Sequence, residues 1–164
     1  MSERNEILAA NERYAASFEK GSLPMPPGRR FAVVTCMDAR LDPAGFLGLR
    51  EGDAHVIRNA GGLVTDDALR SLVISHWLLG TREAFVIAHE DCGMLTFKND
   101  DLRRKLADEA GVEAGDIDFQ PFDDLDAAVH ASVARIRESS LLPESFSSAG
   151  FVYDVRSGRL REVA

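Results

Sequence analysis

Short apolar runs alternate with longer amphipathic segments along most of the chain. The runs FAVVT at 31–35, AHVIR at 54–58 and EAFVIAH at 83–89 have the length and the β-branched content of strands that are buried on both faces. Amphipathic segments with helical spacing lie among these runs, and strands that alternate with helices form parallel sheets through right-handed crossovers. The pattern therefore predicts an α/β fold with a mainly parallel central sheet flanked by helices.

Three segments in the body of the chain have the periodicity of helices. The clearest spans 65–80, where Thr65 is the predicted N-cap and Gly80 the predicted terminator. Two more helices are predicted at about 99–110 and 123–138. The closing segment GFVYDVRSGRLREV predicts a strand, a Ser-Gly turn and a second strand.

The first thirty residues differ from the rest of the chain. Residues 3–19 carry apolar side chains near helical spacing on a narrow stripe, which predicts an amphipathic helix that needs a surface to lie against. Residues 20–30 contain three prolines and two glycines, which favour an extended arm. We expect a single domain over 1–164, in which the N-terminal helix and arm of 1–30 precede an α/β core of 31–164.

Composition narrows the class of protein. The chain has 164 residues, of which 45% are hydrophobic, and this suits one domain with its own core. Its formal net charge of -8 would repel phosphate backbones, so we expect no nucleic-acid partner. No apolar run approaches the roughly 18 residues that suggest a membrane span, and the N-terminus is too charged for a signal peptide. We therefore expect a cytoplasmic protein without a membrane partner.

Candidate chemistry lies where two of the predicted strands end. Cys36 follows the first strand, and His89 and Cys92 lie at the end of another, in the segment AHEDCGM. Parallel strands end at the same edge of a sheet, where ligands commonly bind. Two sulfurs and one imidazole nitrogen suit Zn²⁺, and three protein ligands leave the fourth position open, as a catalytic zinc site requires. The alternatives are buried bystander cysteines, a structural zinc site and a redox dithiol.

Two charged residues near Cys36 favour the catalytic interpretation. Asp38 would project to the same side as Cys36 and accept a hydrogen bond from metal-bound water, or ligate the metal itself. Arg40 would hold that carboxylate in a bidentate pair and keep it ionised. The two residues would then form a switch. When Asp38 pairs with Arg40, the fourth coordination position of the metal is open to water. When Asp38 binds the metal, that position is closed.

These residues resemble the motifs of the β-class carbonic anhydrases. C-x-D-x-R at a strand end and H-x-x-C further on form a specific pattern in combination. The likeness extends to HVIRNAGG at 55–62 and to the run from TDDALRSLVISHWLLGTRE into HEDCGM. The chain is similar to the short actinobacterial-type branch of the family, which also includes carbonyl sulfide hydrolases. The resemblance implies a β-carbonic-anhydrase-like sheet with an N-terminal helical arm.

The resemblance also implies a cofactor and a set of site residues. One zinc ion per chain would be held by Cys36, His89 and Cys92, which makes 31–164 a zinc-binding core. Asp38 would be a metal ligand only in a closed state. The backbone N–H of Gly93 would help to bind bicarbonate.

The activity that the resemblance implies is that of a lyase. Zinc-bound hydroxide would attack CO2 to give bicarbonate and a proton in a reversible hydration, with Asp38 and Arg40 as the catalytic residues. Hydrolysis of carbonyl sulfide or carbon disulfide on the same zinc site is the alternative, and a non-catalytic zinc-stabilised interaction module is a third. Family members are dimers or multiples of dimers whose N-terminal helix embraces the partner. We therefore expect a homodimer or a dimer of dimers.

A few positions depart from plant-type members or lie beside the motifs. Plant-type members have a glutamine ahead of the first cysteine, whereas the glutamine of this chain is Gln120, which leaves that substrate contact without a counterpart. They also have an aromatic pocket residue where this chain has His55, which predicts a more polar pocket with His55 packed near the site. Arg58 and the glycines after it are interpreted as shaping their own loop. Glu90 and Asp91 are expected to bond to local backbone or to a partner chain.

Overall fold

The computed structural model describes residues 2–164. In that range the helices are α1 (Glu3–Ala15), α2 (Pro43–Leu47), α3 (Asp66–Leu79), α4 (Asn99–Ala110) and α5 (Leu125–Arg137). The strands are β1 (Phe31–Cys36), β2 (His55–Asn59), β3 (Glu83–His89), β4 (Ser147–Tyr153) and β5 (Leu160–Glu162). Single 3-10 turns follow β2 at Ala60–Gly62 and β3 shortly after its end, at Gly93–Leu95. None of the helices in residues 2–164 is both long enough and apolar enough to cross a membrane.

The strands of the described chain form one sheet in the order β2-β1-β3-β4-β5. The first four strands in this order are parallel, and β5 pairs antiparallel with β4. Residues of α3 and α5 pack in a core on one face of the sheet, and residues of α2 pack on the other. The predicted α/β class with a mainly parallel sheet flanked by helices is confirmed.

The strand β1, which lies between β2 and β3, is buried on both faces. All six of its residues are buried. Ala32 and Val34 belong to the core on the side of α3 and α5, whereas Phe31 and Val33 contact Phe46 and its neighbours on the opposite side. A strand enclosed in this way has little freedom to move, so its carboxyl end gives a fixed position for the residues that follow.

The strand β2 is an edge strand of the sheet. Its residues alternate between half-buried and exposed, and Val56 is 42% exposed. The expectation that 54–58 is buried on both faces is therefore wrong for a single chain, because β2 pairs with β1 on one side and ends the sheet on the other. An edge strand presents unpaired backbone groups that favour pairing with another chain.

The N-terminal helix is shorter than predicted and lies on the outside of the molecule. It ends at Ala15 rather than near residue 19, and none of its residues is buried. The hydroxyl of Tyr14 donates to Glu51 Oε1 at 2.5 Å, which links the helix to the loop before β2. Ile7 is 65% exposed. Since a helix of this length needs packing to be stable, contacts within its own chain hold it weakly.

The remaining helices agree with the predicted pattern except for α2. Helix α3 begins where Thr65 accepts a hydrogen bond from the N–H of Ala68 at 3.3 Å, and it ends at Gly80 in the left-handed conformation. Helix α2 starts at Pro43 and ends at Leu47, and Gly48 caps it with a φ of 61°. Five residues are too few to show helical periodicity, so the sequence pattern does not reveal α2.

Gly62 allows the loop after β2 to approach the centre of the sheet. Its φ is 66°, and a Cβ atom at this position would lie 2.8 Å from the backbone N of Cys36 and 3.1 Å from the carbonyl O of Ile87. Both atoms belong to the backbone of central strands and cannot move aside. The position therefore excludes any side chain.

We expect Gly62→Ala to lower the free energy of unfolding by about 2–5 kcal/mol, from left-handed backbone strain of about 1–2 kcal/mol and overpacking of about 1–3 kcal/mol. Gly80→Ala is the matched control, because Gly80 has a φ of 74° and no described atom lies within 4 Å of an added Cβ. Urea denaturation followed by circular dichroism measures both variants. Equal losses of stability would contradict the close approach at Gly62.

Candidate functional site

The carboxyl ends of β1 and β3 bring the three predicted ligand residues together. Cys36 is the last residue of β1 and His89 is the last residue of β3, and Cys92 lies in the loop that follows. Their ligand atoms all lie within 4.8 Å of one another. The three residues are 4%, 0% and 2% exposed, in the same order. The structure thus places them in one buried cluster at the edge of the sheet.

The donor set of this cluster, two sulfurs and one imidazole nitrogen, suits a tetrahedral zinc ion. Zinc bonds of about 2.3 Å to sulfur and about 2.0 Å to nitrogen separate tetrahedral ligand atoms by roughly 3.5–3.8 Å. His89 Nδ1 lies 2.8 Å from the backbone carbonyl O of Glu90, so we assign the ring proton to Nδ1, which donates to that carbonyl. His89 Nε2 then carries the lone pair, and it is buried without a hydrogen-bond partner among residues 2–164. A nitrogen in this state beside two sulfurs is well suited to a metal ion.

The cluster also favours a negative charge on Cys36. The pKa of the Cys36 thiol lies well below its usual range, chiefly because the thiol of Cys92 donates a hydrogen bond to it, and the backbone N–H groups of Asp38 and Gly61 also donate to it. The same pairing, together with burial, raises the pKa of Cys92. Burial opposes ionisation of both thiols. A bound cation would stabilise both sulfurs as thiolates.

Arg40 holds Asp38 in a bidentate pair next to the cluster. Arg40 Nε lies 3.0 Å from Asp38 Oδ1, and Arg40 Nη2 lies 2.8 Å from Asp38 Oδ2. The side chain and backbone N–H of Arg40 hold the pKa of Asp38 well below its usual range, so the carboxylate stays ionised. Asp38 Oδ2 is also only 3.7 Å from His89 Nε2. A small rotation of the side chain would therefore bring Asp38 to the cluster.

Arg58 fixes the segment that joins Cys36 to Asp38. Its Nε donates to the carbonyl O of Cys36 at 2.9 Å, and its Nη2 donates to the carbonyl O of Asp38 at 2.7 Å. The interpretation of Arg58 as shaping its own loop is incomplete, since its guanidinium acts on the loop of the neighbouring strand. The sheet register explains this contact, because Arg58 is paired with Thr35, next to the end of β1. That register is not visible until the strand order is known.

Asp91 contacts Arg40 from the loop between the two later ligand residues. Arg40 Nη1 donates to Asp91 Oδ2 at 2.8 Å, and Arg40 Nη2 donates to the carbonyl O of Asp91 at 3.0 Å. The expectation that Asp91 bonds to local backbone or to a partner chain is therefore wrong. Residue 91 is distant from residue 40 in the sequence, and its only sequence signal is a carboxylate between His89 and Cys92.

A small cavity opens beside the cluster. Its volume is about 170 Å³, and it is lined by Cys36, Asp38, Cys92, Gly93, Met37 and Met94, among others. A water molecule occupies about 30 Å³ of liquid, so the cavity has room for a small substrate and a few waters. Gly93 is the first residue of a 3-10 turn, where backbone N–H groups have no partner within the turn. The cavity therefore combines apolar walls with a backbone donor.

Two residues singled out by the sequence lie away from this cavity. His55 starts β2 and is paired with Ala32, at the end of the strand opposite the cluster. Its Nδ1 lies 2.7 Å from Ser75 Oγ, so it is a packed, hydrogen-bonded residue. The expectation that His55 lies near the site and makes the pocket more polar is wrong. Gln120 lines a separate cavity of about 500 Å³.

Comparisons with known proteins extend over the whole chain. A sequence model of the carbonic anhydrase family matches residues 31–160. The beta-carbonic anhydrase 1 of Mycobacterium tuberculosis is 49% identical over 165 residues, which cover 99% of this chain and 99% of that protein. The carbon disulfide hydrolase of Saccharolobus solfataricus is 32% identical over 182 residues, which cover 96% of this chain and 87% of that protein.

The fold of this chain also closely matches that of a solved structure. The carbonic anhydrase of Streptococcus mutans superposes with a TM-score of 0.95 at 47% identity, and the match covers 100% of this chain and 99% of that one. The similarity therefore includes the N-terminal helix and arm in addition to the sheet and its carboxyl edge.

Proposed function

The chain belongs to the β-carbonic anhydrase family, and on that premise we propose that it hydrates carbon dioxide reversibly, to bicarbonate and a proton, at a zinc ion held between the ends of β1 and β3. The resemblance seen in the sequence is confirmed, and membership of this family makes the chain a lyase. The observation that carries the proposal is the buried cluster of ligand atoms, all within 4.8 Å, beside a carboxylate that an arginine holds in place. A non-catalytic interaction module would have no use for that carboxylate.

We assign one zinc ion per chain to Cys36, His89 and Cys92. The assignment is supported by the two buried sulfurs and by the unpartnered Nε2 of His89 in the described chain. When bound, zinc supplies Lewis-acid activation of a water molecule near neutral pH. The Nδ1 hydrogen bond of His89 to the carbonyl of Glu90 fixes the ring and makes Nε2 a better donor to the metal.

Asp38 and Arg40 are the proposed catalytic residues. Asp38 accepts a hydrogen bond from the reacting water and orients it toward carbon dioxide. Its depressed pKa makes it a poor proton acceptor near neutral pH, so its role is orientation, and the released proton passes to buffer. Arg40 keeps this carboxylate ionised and directed through two parallel hydrogen bonds.

We propose that Asp38 also serves as a fourth metal ligand in a closed state of the site. The distance of 3.7 Å between Asp38 Oδ2 and His89 Nε2 supports this second role. Asp38 in the described conformation is paired with Arg40, which corresponds to the open arrangement. Release from Arg40 would then be the step that closes the site.

Gly93 is the proposed substrate-binding residue. It lines the small cavity, and it lies directly after the ligand Cys92 at the start of a turn. Its backbone N–H donates to an oxygen of bicarbonate, while the apolar walls of the cavity accept the linear carbon dioxide molecule. A side chain is not needed for this contact, which is consistent with a glycine.

We expect Asp38→Ala to retain zinc and to lose about 10–100-fold in kcat/KM, because the reacting water loses the group that orients it. Arg40→Ala should lose a similar factor, because Asp38 is then free to occupy the metal. Stopped-flow hydration of carbon dioxide with a pH indicator measures both rates. Asp67→Ala is the control, because Asp67 forms an exposed ion pair with Arg70 on α3. Undiminished turnover in both site variants would remove the pair from the mechanism.

Hydrolysis of carbonyl sulfide or carbon disulfide is the second candidate function. The relative from Saccharolobus solfataricus named as a carbon disulfide hydrolase supports it, as does the contact of Met37 and Met94 with the cavity. The same stopped-flow experiment is run with each of the three substrates on the wild-type protein. We expect carbon dioxide to give the largest kcat/KM, and a larger value for either sulfur compound would assign that activity instead.

We expect the purified wild-type protein to contain one zinc ion per chain and His89→Gln to lose it. An amide cannot replace the imidazole nitrogen in a site of three protein ligands. His130→Gln is the matched control, because His130 is exposed on α5. Elemental analysis by mass spectrometry measures the zinc content. Full zinc in His89→Gln, or none in the wild type, would contradict the assignment.

We propose that the chain assembles as a homodimer or as a dimer of dimers through surfaces that a single chain leaves open. Large apolar side chains are exposed on α1 and on α3, among them Ile7, Leu8, Trp77 and Leu78, at 65%, 53%, 62% and 75%. The edge strand β2 is exposed as well. Exposed apolar surface of this kind indicates a protein interface. A second copy of the chain would bury both helices and cover the edge.

We expect Ile7→Glu and Trp77→Glu to dissociate the dimer at micromolar concentration, since each places a charge in the proposed interface. Val112→Glu is the control, because Val112 is a 48% exposed apolar residue in the loop after α4. Sedimentation velocity measures the mass of each variant. A wild-type monomer, or a dimer unaffected by both site changes, would contradict the proposed interface.

Two expectations from the sequence stay predictions. The match of the family model to residues 31–160 supports a single domain over 1–164. In this prediction residues 1–30 form an arm and 31–164 form the zinc-binding core. A cytoplasmic location is supported by a pair of unlinked cysteines in a cluster that suits a metal.

A further inference from the structure

We infer that Asp91 is a positioning residue for the reaction, which holds the guanidinium of Arg40 in the orientation that Asp38 requires. This inference rests on the proposed function, because it adds a third member to the pair of catalytic residues. Asp91 contacts Arg40 through its side chain, at 2.8 Å from Nη1, and through its carbonyl O, at 3.0 Å from Nη2. The two contacts come from a single residue that is not itself a metal ligand.

The backbone of Asp91 makes this double contact possible. Its φ is 57°, in the left-handed region that few residues other than glycine adopt. Aspartate and asparagine tolerate this conformation better than most side chains do. The left-handed turn directs the carbonyl O and the carboxylate of Asp91 to the same side, where Arg40 lies.

The hydrogen bonds of Arg40 show that Asp91 and Asp38 do not compete for it. Asp38 accepts from Nε and from one N–H of Nη2. Asp91 accepts from Nη1 and, through its carbonyl O, from Nη2. A guanidinium has five N–H groups, and these contacts use four of them on two separate edges. Asp91 therefore fixes the plane of Arg40 and leaves the edge that faces Asp38 fully available.

Such a constraint matters because Arg40 is otherwise weakly held. Its side chain is 47% exposed, and the flexible stem of an exposed arginine moves among many rotamers. A planar guanidinium that is bound on two edges loses that freedom, and a bidentate pair with Asp38 depends on alignment of the plane. Asp91 thus stabilises the open arrangement, in which Asp38 is paired with Arg40 rather than with the metal.

Asp91 also joins the two loops that build the site. Arg40 and Asp38 lie in the loop after β1, whereas Asp91 lies between His89 and Cys92 after β3. The loop that supplies two of the proposed ligands therefore also sets the position of Arg40. Zinc ligation and the orientation of the catalytic carboxylate are linked through this one contact.

The test uses Asp91→Asn and Asp91→Gly in the zinc-loaded protein. Both residues accept the left-handed backbone, so the ligand loop keeps its course, while the first removes the charge and the second removes the side chain. Asp126→Asn is the matched control, because Asp126 accepts its two side-chain hydrogen bonds from Arg161 rather than from Arg40. Zinc content and melting temperature are measured for all three variants and should equal those of the wild type.

The first measurement is the solvent exchange of the Arg40 Nε–H by nuclear magnetic resonance, with the signal assigned by its loss in Arg40→Lys. This proton is donated to Asp38, so it reports the pairing directly and requires no activity. We expect exchange to be at least severalfold faster in Asp91→Asn and faster again in Asp91→Gly. Exchange in Asp126→Asn should equal that of the wild type.

The second measurement is kcat/KM for carbon dioxide hydration, which we expect to fall about tenfold in Asp91→Gly and less in Asp91→Asn, as for other groups that orient a catalytic residue. Unchanged Nε–H exchange in both variants would overturn the inference. Faster exchange together with an unchanged kcat/KM would overturn it as well. If the wild type does not hydrate carbon dioxide, the proposed function fails. The exchange measurement would still decide whether Asp91 orients Arg40.

Discussion

The site depends on the parallel pairing of two adjacent, buried strands that end at the same edge of the sheet. β1 and β3 are neighbours in the sheet, and their register pairs Thr35 with Ile87. Cys36 and His89 then follow at nearly the same level. The side chain of Thr35 donates to the carbonyl O of Ile87 at 2.8 Å, which adds a further contact at this end of the pair. Cys36 and His89 are far apart in sequence, and they lie side by side because the strands that carry them are paired.

Burial of the cluster disfavours charge on its side chains, and polar contacts from the surrounding groups offset this effect. Two thiols and an imidazole lie almost without exposure, where an isolated charge would be strongly disfavoured. Backbone donors from Asp38 and Gly61 and the donation of His89 Nδ1 to a carbonyl provide the polar contacts. The carboxylate of Asp38 lies at the margin instead, with its side chain 18% exposed and paired with Arg40. The proposed ligands are therefore buried, whereas the charges of the proposed catalytic pair lie closer to the solvent.

The sequence predicts the part of this arrangement that local pattern determines. β1 and β3 are continuous apolar runs, and α3 has an N-cap and a terminator at its ends, so their positions follow from the order of residues. The cluster itself follows from the rule that parallel strands end at one edge. The contacts of Arg58 and Asp91 could not be predicted, because they depend on the register between strands and on a left-handed turn at residue 91.

The expectations that fail have related physical causes. The comparison with plant-type members predicts His55 near the site, but the pairing of His55 with Ala32 puts it at the far end of its strand. The apolar content of 54–58 suggested a strand buried on both faces, yet β2 ends the sheet of a single chain. A sequence pattern records which residues need burial. It does not say whether the cover comes from the same chain or from another copy.

The exposure of Arg40 is consistent with an ion pair to Asp38 that can break and re-form, rather than with a permanent pair. A pair of ions at a surface is screened by water and contributes little to stability, so little free energy opposes the release of Asp38 from Arg40. Groups that touch only Arg40 can then shift the balance between them. Asp91 is such a group, because it binds the guanidinium on the edge away from Asp38. The proposed activity would thus depend on a contact outside the proposed metal site, made by the same loop that carries His89 and Cys92.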